Sequence, residues 1–194
     1  MTPADTSSDQ ILDLKDPRAI RALAHPVRLA ILELLHAEGT ANATEAARET
    51  GESPQSCSYH LRALARYGFV EEVETDDARE TRWQLKARGF QFATPAQQSP
   101  EYAAAAALLQ NRMYERDERI FAAYLQAEED VEEEWREAAT ILSGNVYVTA
   151  AELTELRDRI RELIRPYQRR KPGARPAESR QVHVVYRAVP RVGP

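Results

Sequence analysis

Helix starts and stops punctuate the first 70 residues so closely that only short helices fit between them. Asp16-Pro17, His25-Pro26 and Ser53-Pro54 each put a proline where a helix begins, the position at which its missing N–H is not needed. Gly39, Gly51 and Gly68 stand where the helical patterns run out. Between these marks lie a helix opening at Asp16 and a second from Pro26, with Val27, Ile31, Leu34 and Leu35 at core spacing. A short third helix follows near residues 43–49, and a fourth spans 53–67. Two short helices across a glycine-containing turn form the pattern of a helix-turn-helix. Beyond Gly68 the period drops to two. Phe69, Val70 and Val73 read as one strand, residues 75–78 as a turn, and Thr81, Trp83 and Leu85 as the returning strand. A hairpin behind a helix-turn-helix is a wing, so residues 13–92 are predicted to be a winged helix, preceded by an unstructured arm over 1–12.

The rest of the chain is read as two further parts. After a polar linker at 91–98, Ser99-Pro100 opens a long helix over 99–143. Its residues Tyr102, Leu109, Met113, Ile120, Tyr124, Val131 and Trp135 recur at intervals of seven and four, close to a heptad stripe. Such a helix needs a covering surface, either a second subunit or the rest of this chain, and it is assigned to dimerisation. Residues 144–194 read as a small β-α-β unit with a basic tail, mapped as a candidate effector region. It has strands at 145–148 and 181–188 and a helix opened by the Thr149/Glu152 capping box. The predicted fold class is therefore mainly α with a small β wing.

Composition narrows the function classes. The 194 residues carry 26 Lys and Arg against 31 Asp and Glu, a net charge of −5, unevenly spread. Residues 112–137 hold ten acids and four bases (10 − 4, net −6); residues 165–194 hold eight bases and one acid (8 − 1, net +7). No apolar run approaches the ~20 residues a membrane helix needs. No secretion signal opens the chain. Cys57 is the single cysteine, so no internal disulfide can form. The expectation is a cytoplasmic protein without a membrane partner.

On a helical wheel, Cys57, Leu61 and Leu64 share one side of the 53–67 helix, with His60 and Ala65 beside them. Gln55, Tyr59, Arg62 and Arg66 occupy the other, with Ser56 at its edge and no carboxylate among them. Hydrogen-bonding side chains and guanidinium groups on one rod suit base edges and phosphates in a major groove. Arg79 and Arg82 in the wing are added as phosphate or minor-groove contacts.

Taken together, "ALAHPVRLAILELLHAEG", "EAARETGESPQSCSYHLRALARYGFV" and "ETDDARETRWQL" resemble the winged-helix domain of ArsR-type bacterial transcriptional regulators. The resemblance covers residues 16–90. It implies a homodimer on an inverted-repeat operator, usually a repressor, with 53–67 as recognition helix. By position, Gln55, Ser56, Ser58 and Tyr59 match the residues that contact bases and phosphates.

The chain departs from metal-sensing members of that family. Ala43, Thr44, Glu45 and Ala46 stand where paired cysteines would be, and no histidine lies between His60 and His183. No metal site or cofactor is predicted. Glycine-rich phosphate cradles, a GxSxG elbow and an HExxH pair are absent, so no enzyme is expected. The expected partners are double-stranded DNA and a second copy of the chain. Two alternatives stand beside this reading. One is a winged helix that binds proteins instead of DNA. The other is a one-component sensor whose distal half takes a small molecule among Tyr124, Trp135 and Tyr147.

Overall fold

A computed structural model describes residues 11–74, 80–87, 89–92, 99–168, 170 and 172–192. The chain divides into two compact units, Met1–Glu115 and Arg116–Pro194.

In the first unit the order is β1 (Ile11–Leu14), α1 (Pro17–Leu23), α2 (Pro26–Glu38), β2 (Thr40–Ala41), α3 (Ala43–Thr50) and α4 (Pro54–Arg66). Then come β3 (Val70–Val73), β4 (Arg82–Leu85), β5 (Gly89–Phe92) and α5 (Pro100–Ala127). Local chemistry sets the boundaries. Asp16 caps α1 by accepting from the Arg18 N–H, and Asn42 and Glu45 close a reciprocal capping box on α3. Ser53 accepts from the Ser56 N–H at the start of α4. Gly51 stops α3 at φ +72°, and Gly68 turns the chain out of α4 at φ +75°, a region that penalises any Cβ.

The wing is a three-stranded sheet in the order β2-β4-β3, antiparallel throughout, with Glu72 opposite Trp83 and Ala41 opposite Trp83 on the other edge. The two-residue β2 had no signal of its own in the sequence. A second correction concerns the N-terminal arm. Ile11 and Leu12, read as its unstructured end, belong to β1, which pairs in parallel with β5, Ile11 against Gly89 and Leu14 against Phe92. Gln91 and Phe92, read as the start of a linker, are the other half of that pair. A ladder between segments almost 80 residues apart leaves no local trace, which is why the pattern missed it. The remainder of the arm and the linker lie outside the described residues.

The core gathers Ile20, Leu23, Ile31, Leu35, Cys57, Leu61, Leu64, Val70 and Trp83 from the helices and wing. The first turns of α5 join it through Tyr102, Ala105, Ala106 and Leu109. The Tyr102 hydroxyl donates to the Leu14 carbonyl at 2.9 Å and so ties α5 to β1. The stripe on the long helix is thus covered over its first half by its own chain.

The long helix is shorter than expected. It ends at Ala127, followed by a 3-10 turn at Glu128–Asp130 and a short α6 (Glu133–Ala138). The physical cause is the acidic run. Carboxylates at 128–130 would sit at the negative end of the helix dipole, whereas Glu133 and Glu134 are favourable in the first turn of a new helix. Val131 and Trp135 therefore do not continue the α5 stripe. Last comes α7 (Ala150–Gln168), opened as predicted by Thr149 and Glu152. The strands expected at 145–148 and 181–188 are not formed, because neither segment finds a ladder partner among the described residues. No described residue beyond Leu109 is buried.

Tyr102→Phe should lower stability by about 1–3 kcal/mol, because it leaves the buried Leu14 carbonyl without its donor. Denaturant unfolding measures the loss. An unchanged midpoint would show that the hydroxyl does not hold α5 to β1.

Candidate nucleic-acid interface

The helix α4 is a two-sided rod. Cys57, Leu61 and Leu64 are fully buried at 0–1% exposure. By contrast, Gln55, Tyr59, Arg62 and Arg66 are exposed, with Ser56 and Ser58 half-buried along the margins. Tyr59 is 64% exposed, and a phenol left that bare on a helix is available to a ligand. Neither Arg62 nor Arg66 makes an ion pair among the described residues, and Arg66 lies 6.0 Å over the Tyr67 ring. Six of the eight residues nominated from sequence thus share one open face.

The other two diverge. Arg79 lies outside the described residues. Arg82 is not bare: its guanidinium meets Glu45 at 3.0 Å and Glu80 at 3.1 Å and leans on the Thr40 hydroxyl. Its side chain is 27% exposed. Asn42, the cap of α3, donates to the same Glu80. Arg82 therefore pins β4 to β2 and α3. Sequence spacing placed an arginine near the wing tip with Glu80 beside it but gave no sign of Glu45, which comes from α3.

A pair of histidines sits directly behind the open face. The His25 and His60 rings stack at 4.6 Å, and the Tyr59 ring meets His60 edge-on at 5.4 Å. Arg28 Nε donates to His60 Nδ1 at 3.3 Å, and its Nη1 donates to the Ala22 carbonyl at 2.8 Å. His60 Nδ1 is therefore an acceptor, and the ring is neutral. The letters His25, Pro26, Arg28 and His60 were all present in the quoted motifs. Only the fold shows that they meet.

Burial holds the pKa of both histidines below the usual value, His25 being further opposed by Arg28, and His60 by His25 and then Arg28. Glu52 alone among the charged neighbours pulls the other way, and Arg112 from α5 adds to the opposition at His25. In the unfolded chain both rings take up protons at about pH 6.5, before the folded ones do. The stability from the neutral pair is thus complete above pH 6.5 and is lost as pH falls through the lowered folded values.

The remaining nominated residues lie in the second unit and are not brought together as a site. Tyr124 donates to Glu128 at 3.4 Å, Trp135 carries the Arg180 guanidinium at 5.0 Å, and Tyr147 is wholly exposed at 102%. Among the described residues no group of three or more His, Cys, Asp or Glu side chains converges as a metal site. No helix of the described residues is long and apolar enough to cross a membrane.

Comparison with known proteins bears on this geometry. Residues 23–73 match the family model of a helix-turn-helix domain, a span that runs from the end of α1 to the end of β3. Among solved structures the chain is similar to the homodimeric winged helix-turn-helix DNA-binding domain of a possible ArsR-family transcriptional regulator from Mycobacterium bovis. That match has 28% identity and a TM-score of 0.33, and covers 50% of this chain and 77% of the other. An ArsR-like transcriptional regulator from Rhodococcus sp. RHA1 is 27% identical at a TM-score of 0.31, over 57% of this chain and 90% of that one. The adhesin competence repressor of Streptococcus pyogenes is 13% identical at a TM-score of 0.34, covering 74% and 81%. None of the curated proteins matches the chain. The matched segment is a helix-turn-helix domain, and in the structure the antiparallel β3–β4 wing follows α4.

Thermal unfolding should show stability falling between pH 7.5 and pH 5. His60→Gln, which keeps an acceptor for Arg28 but cannot titrate, should flatten that fall. An equally steep fall in the variant would place the titration elsewhere.

Proposed function

We propose that the chain is a homodimeric, sequence-specific transcription regulator acting as a repressor at an inverted-repeat operator. The observation that carries the reading is the open face of α4: hydrogen-bonding and cationic side chains, no carboxylate, and an apolar reverse side locked in the core. A helix with that construction, presented after a three-residue turn and flanked by a wing, is shaped for a major groove. Gln55, Ser56, Ser58 and Tyr59 read base edges and nearby phosphates. Arg62 and Arg66 supply phosphate contacts that set register without reading sequence. Arg79 extends those contacts from the wing, and Arg82 keeps the wing in place behind them.

The net charge of −5 does not oppose this, because the contact face is local. Two copies related by a two-fold axis would set their α4 helices one turn of DNA apart, ~34 Å, which makes the operator a palindrome. Occupying that site is how such a protein represses, by excluding polymerase from the same stretch. DNA is also its reason to be cytoplasmic. The homodimer finds support in the Mycobacterium bovis domain and in the uncovered second unit.

Fragments selected from random genomic DNA should share a palindromic sequence, and binding to it should weaken steeply with salt. With Arg62 and Arg66 contributing from both protomers, the slope of log affinity against log salt is about −3.6 or steeper. Arg62→Ala should weaken binding to all sequences and reduce the slope by about 2 across the dimer. Gln55→Ala should instead relax preference at one position in each half-site, by about 1–3 kcal/mol. Enrichment of no shared sequence would favour a winged helix that binds protein.

A further inference from the structure

The two histidines behind α4 have no place for a second proton. His60 is buried, and its Nδ1 accepts from Arg28 Nε at 3.3 Å, so the ring carries its hydrogen on Nε2. A proton added at Nδ1 would set two N–H groups against each other. His25, whose ring stacks on His60 at 4.6 Å, has its Nδ1 buried with no hydrogen-bond partner among the described residues. A lone pair is tolerated there, whereas an N–H without an acceptor is costly. His25 is also the N-cap of α2, at the positive end of that helix dipole, and its side chain makes no capping bond.

Every element packed around the pair bears on its charge. Arg28 from α2 opposes a positive charge on either ring, and Arg112 from α5 opposes one on His25. Glu52, in the turn between α3 and α4, favours it at both. From α1 the Ala22 carbonyl accepts from Arg28 Nη1 at 2.8 Å and keeps that guanidinium in place. On α4 itself the Tyr59 ring meets His60 edge-on at 5.4 Å.

We infer that the His25–His60 pair is a proton-controlled latch on α4: while both rings are neutral the helix is held ready for DNA, and proton uptake by the pair releases it. This rests on the DNA-binding role proposed above and adds its regulation. A protonated His60 is repelled by Arg28, and its ring, buried against α2, can leave only if α4 shifts. Tyr59 rests on that ring and Ser56 lies one turn before it, so two of the residues proposed to read DNA move with it. The sign of the effect is distinctive. Acid makes a chain of net charge −5 less negative, which by itself strengthens attraction to phosphate. The latch acts in the opposite sense. The DNA-bound form keeps both rings neutral, so binding below about pH 6.5 expels the protons that the released form has taken up.

The test follows binding of the full chain to the palindromic fragment selected at pH 7.5, at fixed salt, as pH falls to 5.5. Affinity should drop by about tenfold or more while circular dichroism shows the helices intact. Calorimetry at pH 6 in two buffers of different ionisation enthalpy should show net proton release on binding. His25→Gln combined with His60→Gln, which leaves Arg28 an acceptor and cannot titrate, should remove both the pH dependence and the proton release. Where acid or the substitutions cost the fold, proton release by the unaltered chain at pH 6 decides by itself. Affinity that stays level or rises toward acid, proton uptake on binding, or a folded double variant as pH-sensitive as the original overturns the latch and leaves DNA binding standing. Failure to select any fragment at pH 7.5 overturns the DNA-binding role and the latch together.

Discussion

One seam decides what this chain can do: the burial of Cys57, Leu61 and Leu64 against α1, α2 and α3. Those side chains fix the rotation of α4 about its own axis. With a 3.6-residue period, fixing one side fixes the other, and Gln55, Tyr59, Arg62 and Arg66 have nowhere to go but outward. Fully burying three such side chains contributes on the order of 5 kcal/mol of transfer free energy, against which the cost of leaving two arginines solvated is negligible. The open face is thus a consequence of core packing. It needs no contact of its own to exist.

Two groups behind that face convert a rotation into a fixed platform. Arg28 reaches from α2 to the His60 ring and at the same time to the Ala22 carbonyl, which couples α4 to the first two helices. Arg82 couples the wing to α3 through Glu45 and to the α3 cap through Glu80 and Asn42. Both arginines serve position, and the open face of α4 is left to Arg62 and Arg66, which make no ion pair among the described residues. The proposed function requires precision in the α4–wing geometry, because base-edge hydrogen bonds tolerate only small displacements.

Most of the winged helix was legible in the sequence because its signals are local. Proline and glycine mark the ends of α1 to α4, and the change of period at Gly68 marks the wing. What escaped notice was made by distance. The β1–β5 ladder, the third wing strand at Thr40–Ala41, the His25–His60 stack and the Arg82–Glu45 pair all join residues far apart in the chain. The α5 stripe was read correctly as needing cover, but its first half is covered by its own core, and its later members lie beyond the acidic break at Ala127. The distal strands show the converse limit. Their alternation is genuine, yet a strand is completed only by its neighbour, and neither segment has one among the described residues.

The most direct measurement is photo-crosslinking from α4 itself. A photo-reactive residue at position 59, in the full chain bound to its selected DNA, should crosslink to bases within the palindrome, whereas one at Leu108 on the exposed side of α5 should not. Bound protein that crosslinks from position 108 and never from position 59 would contradict the account.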